Sequence, residues 1–536
     1  MKATRRTMSF TEHKPRTRFS CKTARYDNRT AMVIMVVALF AVLSFSDTSF
    51  ALNPGDLPTG GEITSGKGKI STTGSQMTVK QNNQKMIANW ATFNIGSKAG
   101  VTFRQPDSDA VALNRINDQN PSQILGSLRA NGKIFLINPS GIIFGEGSQI
   151  NVGGMIASSL NISDRDFLRG RYTFINNGDA GSIINQGNIN ADNGGVVAFI
   201  APVVTNEGTI TATGGDVILA AGNQVTLDFN GDNLISYTVD KGAIDAMAEN
   251  NGYIQANGGQ VILTAKAADS LTNAVVNNTG VIEAQTLKKK DGRIMLMSDM
   301  DNGITIVDGT LDASAPSGGD GGFIETSASR VKINDTAIIT TTAPKGKTGT
   351  WLIDPYEFTI APSGGDITGN TLSNALQLAN VTIQTSGTGV SCTGLDCTGL
   401  GNPAGNGDIL VNDNISWSAN TLTLNAYRNI EINKELFGSG TAKLALVYGQ
   451  GGSGTYIISA PVNLPEGNNF STTTGGVTTN YYVITSLGAA GSTTGTDLQG
   501  MNGNLSRNYA LGSNIDASAT STWNPNGSGG YYGFAP

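Results

Sequence analysis

The sequence predicts an all-β protein wound as a right-handed parallel β-helix, a solenoid in which each coil of chain stacks on the one before. Three observations predict it. A phrase made of Asn-x-Gly, Ile-x-Ala, Gly-Gly and a short apolar run recurs from residue 183 onward, and periods of about 20–50 residues are the signature of solenoids. Within each copy apolar and polar residues alternate with the two-residue period of a half-buried strand. Glycine supplies 69 of the 536 residues and charged residues only 14%, so turns are about twice as plentiful, and charges about half as plentiful, as in an ordinary domain. A chain this long exceeds what one compact core serves, which favours several domains or one repeat body.

Taken from the N-terminus, residues 1–30 hold nine Lys or Arg against Glu12 and Asp27, residues 31–43 are apolar, and Ser49-Phe50-Ala51 ends on small residues. Basic region, apolar core and small-x-small ending are the three parts of a secretory signal peptide. The apolar run is shorter than the about 20 residues that span a bilayer. Cleavage is expected after Ala51, making Leu52 the first mature residue. Losing residues 1–51 removes nine of 35 basic and three of 41 acidic groups, so 26 against 38 leaves a net charge of −12. An acidic chain disfavours nucleic acid, whose phosphates require clustered Lys and Arg, and Lys288-Lys289-Lys290 beside Asp291 reads as a solvated loop.

The leader also contains His13, the one histidine. Histidine triads, histidine metal sites and histidine pH switches are thereby excluded from the mature chain. Its two cysteines, Cys392 and Cys397, are too few for a four-thiolate zinc site. They suit a small local disulfide in an exported protein; two free thiols that only pack are the alternative. No catalytic residue, metal or cofactor is expected.

Residues 113–145 organise the N-terminal half. Ile134-Phe135-Leu136-Ile137 reads as an apolar strand and Ile142-Ile143-Phe144 as the start of another. Between them Pro139 presets φ, Asn138 can bond its own backbone and Gly141 suits the closing position of a turn. In isolation this is a plain surface turn. Taken together, Asn114-Arg115-Ile116-Asn117, then SQILGSL at 122–128, then IFLINPSGIIFG at 134–145 resemble the secretion domain of the filamentous haemagglutinin family, the exported partners of two-partner secretion systems, and within it the high-molecular-weight adhesin branch. Ser140 departs from the family's usual Asn-Pro-Asn-Gly-Ile, which has a second Asn there. The resemblance runs from about residue 52 to beyond residue 354.

What the resemblance implies is specific. Residues 52–300 would be the secretion domain, with 58–182 forming an N-terminal cap and the first coils. After passage through the general secretion machinery, the domain would cross the periplasm unfolded. The periplasmic domains of a dedicated outer-membrane β-barrel transporter would recognise it, and it would fold outside coil by coil. Asn114, Arg115, Ile116, Asn138, Pro139, Ser140, Gly141 and Ile142 are the residues assigned to recognition or to nucleating the first coils; stabilising the folded cap is the alternative. The product would be secreted by, or displayed on, a Gram-negative bacterium.

The repeats begin with Asn185/Gly187/Ile189/Ala191/Val197/Phe199/Ala201 and Asn206/Gly208/Ile210/Ala212/Val217/Leu219/Ala221. A third copy takes Asn251 with Gly252, Ile254, Ala256, Val261, Leu263 and Ala265, and a fourth Asn278 with Gly280, Ile282, Ala284, Ile294 and Leu296. Each reads as one coil of two short strands, with Ile189, Ile210, Ile254 and Ile282 in one interior column and Val197, Val217, Val261 and Ile294 in another. The glycine spacings are 21, then 44, read as two units, then 28 and 29. The recurring Asn is expected to form a ladder at a corner needing left-handed backbone. Surplus residues fall in loops at 285–291 and 314–319.

Weaker copies over 301–360 end in Trp351-Leu352-Ile353-Asp354-Pro355-Tyr356, a phrase similar to one that follows the secretion domain in the adhesin branch. The lone Asp354 makes no catalytic constellation. A Gly/Ser/Thr-rich link at 361–370 leads into a further β-rich repeat region, 361–536. Its tail from Tyr509 resembles a repeat of long bacterial surface proteins and stops mid-phrase, as in a truncated or split member. The expected function is an adhesin-like exoprotein with a receptor on a host or neighbouring cell. A cytolysin or haem-acquisition exoprotein sharing the secretion domain is the alternative, the latter weakened by the missing histidine. A polysaccharide-degrading β-helix enzyme would need carboxylates clustered on one face, whereas those here are scattered at turns.

Overall fold

The computed structural model describes residues 52–229, 235–288, 290–386 and 406–534. The leader with Ala51, together with Lys289 and the Cys392/Cys397 pair, lies outside the described residues. The described chain is a parallel β-helix, and the expected columns are present in register. Val197, Val217, Val261, Ile294, Ile324, Trp351, Val381, Leu422 and Leu444 follow one another across parallel strands. Ile189, Ile210, Ile254, Ile282 and Leu311 form a second column. All are buried. Each fully buried Val or Ile contributes about 1.5–3 kcal/mol of apolar burial.

Each coil has three strands, however, not two. In the first repeat they are Ile183–Asn185, Asn188–Ala191 and Val197–Ala201. The strand that carries the Asn has three residues in the first copy and four or five later, with inward residues that change from Ile183 and Val204 to Ala248 and Val276, so no repeated phrase marks it. The 44-residue spacing is also one coil and not two units, because Thr209–Thr211 pairs directly with Tyr253–Gln255. The surplus is an antiparallel hairpin, Gln224–Phe229 with Ile235–Lys241, joined by Tyr172–Ile175 into a small sheet outside the helix.

That small sheet and helix α1, Asp164–Arg169, cover a second apolar core. Ser163 caps α1 by accepting from the Asp166 N–H at 3.1 Å, and Gly170 ends it at φ 74°. Beneath lie the outward residues of the first sheet, Ile156, Ala198, Ile200, Ile218, Ala220 and Ile262. The runs VAFIA and VILAA are buried at every position, which is why they are continuous apolar stretches, the pattern of strands covered on both faces. Phe135 stands at the centre, 5.6 Å from Phe167 and 5.1 Å from Tyr172, ring to ring.

The Asn ladder exists, with two corrections. Asn185 Nδ2 donates to Asn206 Oδ1 at 2.7 Å, Asn206 to Asn250 at 2.7 Å, and Asn250 to Asn278 at 2.8 Å. The third member is therefore Asn250 and not Asn251, which is exposed one residue further on. Left-handed backbone is not what the corner needs, since none of these four Asn, nor the glycines two residues on, has positive φ. The glycines are there for contact. A Cβ on Gly208 would stand 2.2 Å from the Gly187 carbonyl oxygen, and one on Gly252 2.1 Å from that of Gly208.

The N-terminal end is closed by antiparallel pairing, as a cap requires. Gly68–Thr73 lies antiparallel on Gln76–Gln81, and Glu62–Ser65 on Lys85–Trp90. Past residue 361, where a link at 361–370 and then β-rich repeats were expected, the chain forms helix α2, Gly369–Leu378. Thr368 caps it, its Oγ1 accepting from the Thr371 N–H at 3.2 Å, and Leu372, Ala375 and Leu376 face the core. Parallel coils then continue through Lys443–Val447. The strand stacked on it, Gly467–Thr474, folds back antiparallel on Val477–Ile484.

Beyond the second core the outer side of the first sheet turns polar. Asp354 sits there half-buried beside Glu325, a neighbour the sequence did not suggest, and accepts a 3.4 Å bond from Gln384 Nε2. Its Oδ1 has no partner among the described residues. Burial, and secondarily the Glu325 charge, push its carboxyl up to about 6. The folded chain thus keeps this proton up to about pH 6 while an unfolded Asp releases it near pH 4, so the group's contribution to stability falls as pH rises through that window.

Two outcomes are expected in urea unfolding. Asn206→Ala, which strands buried amide groups on Asn185 and Asn250, lowers stability by about 1–3 kcal/mol, while Asn251→Ala changes it by under about 0.5 kcal/mol; equal effects would remove the ladder's role. Asp354→Asn raises the midpoint near neutral pH and loses that advantage at about pH 4; a pH-independent difference would show that the carboxyl is not perturbed.

Candidate export-recognition site

The strand Val111–Ile116 pairs in parallel with Lys85–Trp90 on one side and Lys133–Ile137 on the other. Arg115 therefore stands opposite Ile137, and the two sequence motifs occupy neighbouring strands. Asn114 is fully buried. Its Oδ1 accepts from Trp90 Nε1 at 3.0 Å, and its Nδ2 donates to the Ala112 and Phe135 carbonyls at 3.3 and 3.2 Å. A buried indole N–H needs such an acceptor, so Asn114 closes a polar pair inside an apolar helix. Ile116 is buried in the same interior.

Arg115 points the other way. It pairs with Asp164 at 2.8 Å in the first turn of α1, and its guanidinium donates to Asn161 Oδ1 at 3.3 Å and to the Ile162 carbonyl at 2.7 Å. Lys85 holds the far end of the same helix, its Nζ donating to the Phe167 and Leu168 carbonyls at 3.0 and 2.9 Å, where burial lowers its pKa. Cations there also complement the helix dipole. The motif arginine thus anchors the cover of the second core.

The turn itself ties three coils. Gly141 N–H donates to the Asn138 carbonyl at 2.9 Å, and Ser140 N–H to Asn138 Oδ1 at 3.0 Å, the Asx bond expected of that residue. Backwards, Asn138 Nδ2 donates to the Asn120 carbonyl at 3.1 Å and Ser122 Oγ at 3.0 Å, and Ser140 Oγ to the Asp118 carbonyl at 2.8 Å. Forwards, the Asn138 and Ile142 N–H groups donate to the Ser158 and Ser182 carbonyls, both at 3.0 Å. Gly141 has φ +106°, and a Cβ there would meet the Ser182 oxygen at 2.6 Å. Ser140 in place of the usual Asn leaves the turn intact because its hydroxyl finds its own carbonyl.

The plain surface turn is therefore corrected. Asn138, Gly141 and Ile142 are buried along with Asn114 and Ile116; Arg115 and Ser140 are half-buried, and Pro139 is exposed. Trp90, Asp118, Asn120 and Ser122, which complete the site, carry no local signal of their own. They are selected by stacking, one coil away. Leu52, next to the expected cleavage point, begins a segment whose Pro54 and Asp56 carbonyls accept from Lys98 and Gly96 N–H groups at 2.8 and 2.9 Å.

The TPS secretion domain family model matches residues 55–312. Two curated relatives, both called heme/hemopexin-binding protein and both from Haemophilus influenzae, are 33% identical over 273 residues and 32% identical over 286. Each alignment covers 49% of this chain and 30% of the relative, so the chain spans about a third of their length. The crystal structure of the HMW1 secretion domain from Haemophilus influenzae aligns with a TM-score of 0.48 at 22% identity, over 75% of this chain and 100% of that one. Residues 55–312, a little under half of the chain, thus carry the TPS secretion domain.

Proposed function

We propose that this chain is an exoprotein moved across the outer membrane of a Gram-negative bacterium by a dedicated β-barrel transporter. The transporter's periplasmic domains read Asn114–Ile116 and Asn138–Ile142 while the chain is unfolded. The observation that supports this is the burial of the motif. Five of its eight residues are inaccessible once the coils stack, so a partner that needs their side chains must meet them before folding. The same side chains then bond three successive coils outside the cell and nucleate the stack. One-dimensional repeats fold by such propagation, because each coil contacts mainly its neighbours.

Once exported, the chain acts as a binding protein, adhesin-like in the first reading, with its receptor on a host or neighbouring cell. A second reading, haem or hemopexin acquisition, is favoured by the names of the two relatives. Their similarity covers 49% of this chain, and the mature sequence has no histidine. Capture of the hemopexin protein suits this chemistry better than axial ligation of haem by imidazole. Immobilised hemopexin and immobilised haem, offered to the secreted chain in parallel, separate the readings: retention by hemopexin supports acquisition, and retention by neither leaves the adhesin reading.

Asn138→Ala is expected to lower extracellular yield severalfold with synthesis unchanged. Urea-unfolded chain carrying the same substitution should also bind the transporter's periplasmic domains more weakly than the parent. Normal export would remove the turn's role, and normal binding with poor export would leave it a folding role alone.

A further inference from the structure

A second sheet of the helix begins with Gly68–Thr73, Gln76–Gln81, Gly100–Arg104 and Ser127–Ala130, and its outer face carries an uneven distribution of charge that neither the fold nor export requires. Lys69, Lys80, Arg104 and Arg129 are all exposed on its first four strands. Lys69 lies directly opposite Lys80, and Lys80 opposite Arg104. Arg129 follows on the next strand, opposite Thr102. None of the four takes part in the ion pairs found among the described residues. Like charges placed directly across strands cost stability, so packing does not account for the cluster. Arg104 and Arg129 rim a shallow concavity of about 650 Å³, whose other polar lining is Thr102, Asn131, Asn151 and the single carboxylate of Asp192.

Further along the face the charge vanishes and then reverses. The column through Arg129 continues as Asn151, Asn190, Thr211 and Gln255, and then becomes Glu283 and Asp312. Five steps of about 4.8 Å separate Arg129 from Glu283, roughly 24 Å. That is about three Debye lengths at physiological salt, so the acidic end does not cancel the basic one. A linear polyanion laid along the helix axis would run into Glu283 and Asp312. A planar anionic surface met by the N-terminal coils, with the helix axis tilted away from it, would touch the cations and clear the acidic residues.

We propose that these four cations form a docking face for an anionic, phosphate-bearing lipid surface. They hold the first coils against the membrane with the helix axis tilted, so that the acidic coils stand off from it. Each cation near such a surface strengthens binding about fivefold, which makes the association reversible and salt-sensitive.

The test is co-sedimentation of the exported polypeptide, recovered from medium, with phosphatidylcholine vesicles lacking or containing phosphatidylglycerol at about one lipid in three. Binding is expected only with phosphatidylglycerol and is expected to fade with added salt. The triple variant Lys80→Gln, Arg104→Gln, Arg129→Gln should lose more than about tenfold of it. With cross-strand repulsion relieved, that variant should unfold at no lower urea concentration than the parent, which keeps loss of binding distinct from loss of fold. Equal binding to both vesicles, unchanged binding by the variant, or retention by soluble polyphosphate but not by vesicles would overturn the proposal.

Discussion

A coil of this chain cannot satisfy itself. Its inner side chains are apolar, its backbone groups point up and down the helix axis, and only another coil stacked at strand spacing removes both from water. That constraint dictates what recurs. Val, Ile and Leu repeat at the same rung positions because each must meet its counterpart one coil away. Glycine repeats at the corner because a Cβ on Gly208, Gly252, Gly280 or Gly309 would enter the carbonyl of the glycine one coil below, and one on Gly187 would enter the Ser148 hydroxyl. Asn repeats beside it because a buried amide is tolerable only when its neighbours complete it.

The N-terminal half adds a second demand. Its first sheet is apolar on both faces, so α1 and the small antiparallel sheet must be held against it. Arg115 and Lys85 do so by reaching the two ends of α1. The motif residues are therefore central to how the domain closes, Asn114 inside the helix, Arg115 outside it and Asn138 between coils. On the proposed function, recognition of the unfolded chain and stabilisation of the folded one would make the same demand on these positions, since the bonds left open before folding are those that folding later fills.

Much of the stack was legible in the sequence because period-two alternation and glycine spacing are local signals that repetition amplifies. The interior columns through Ile189 and Val197 were readable for that reason. Where the signal was short or non-local, reading failed. The strand that carries the Asn has inward residues that change from Ile183 to Val204, Ala248 and Val276, so repetition did not amplify it, and the hairpin beginning at Gln224 imitated an extra coil by lengthening the spacing to about two units. Helix α2 could have been seen, since Thr368 precedes Leu372, Ala375 and Leu376 at helical spacing. The partners of Asn138, at Asn120, Ser122 and Asp118, could not, because only stacking brings them there.

The most direct test of this account is amide hydrogen exchange on the secreted polypeptide, resolved to single residues. If inter-coil bonds hold the molecule and the motif is sealed among them, the N–H groups of Asn138 and Ile142 should be protected as strongly as those of Ile189 and Ile210. They should also open with them as one cooperative unit. Exchange at Asn138 and Ile142 as fast as at the exposed turn Glu146–Gly147, with the columns still protected, would contradict it.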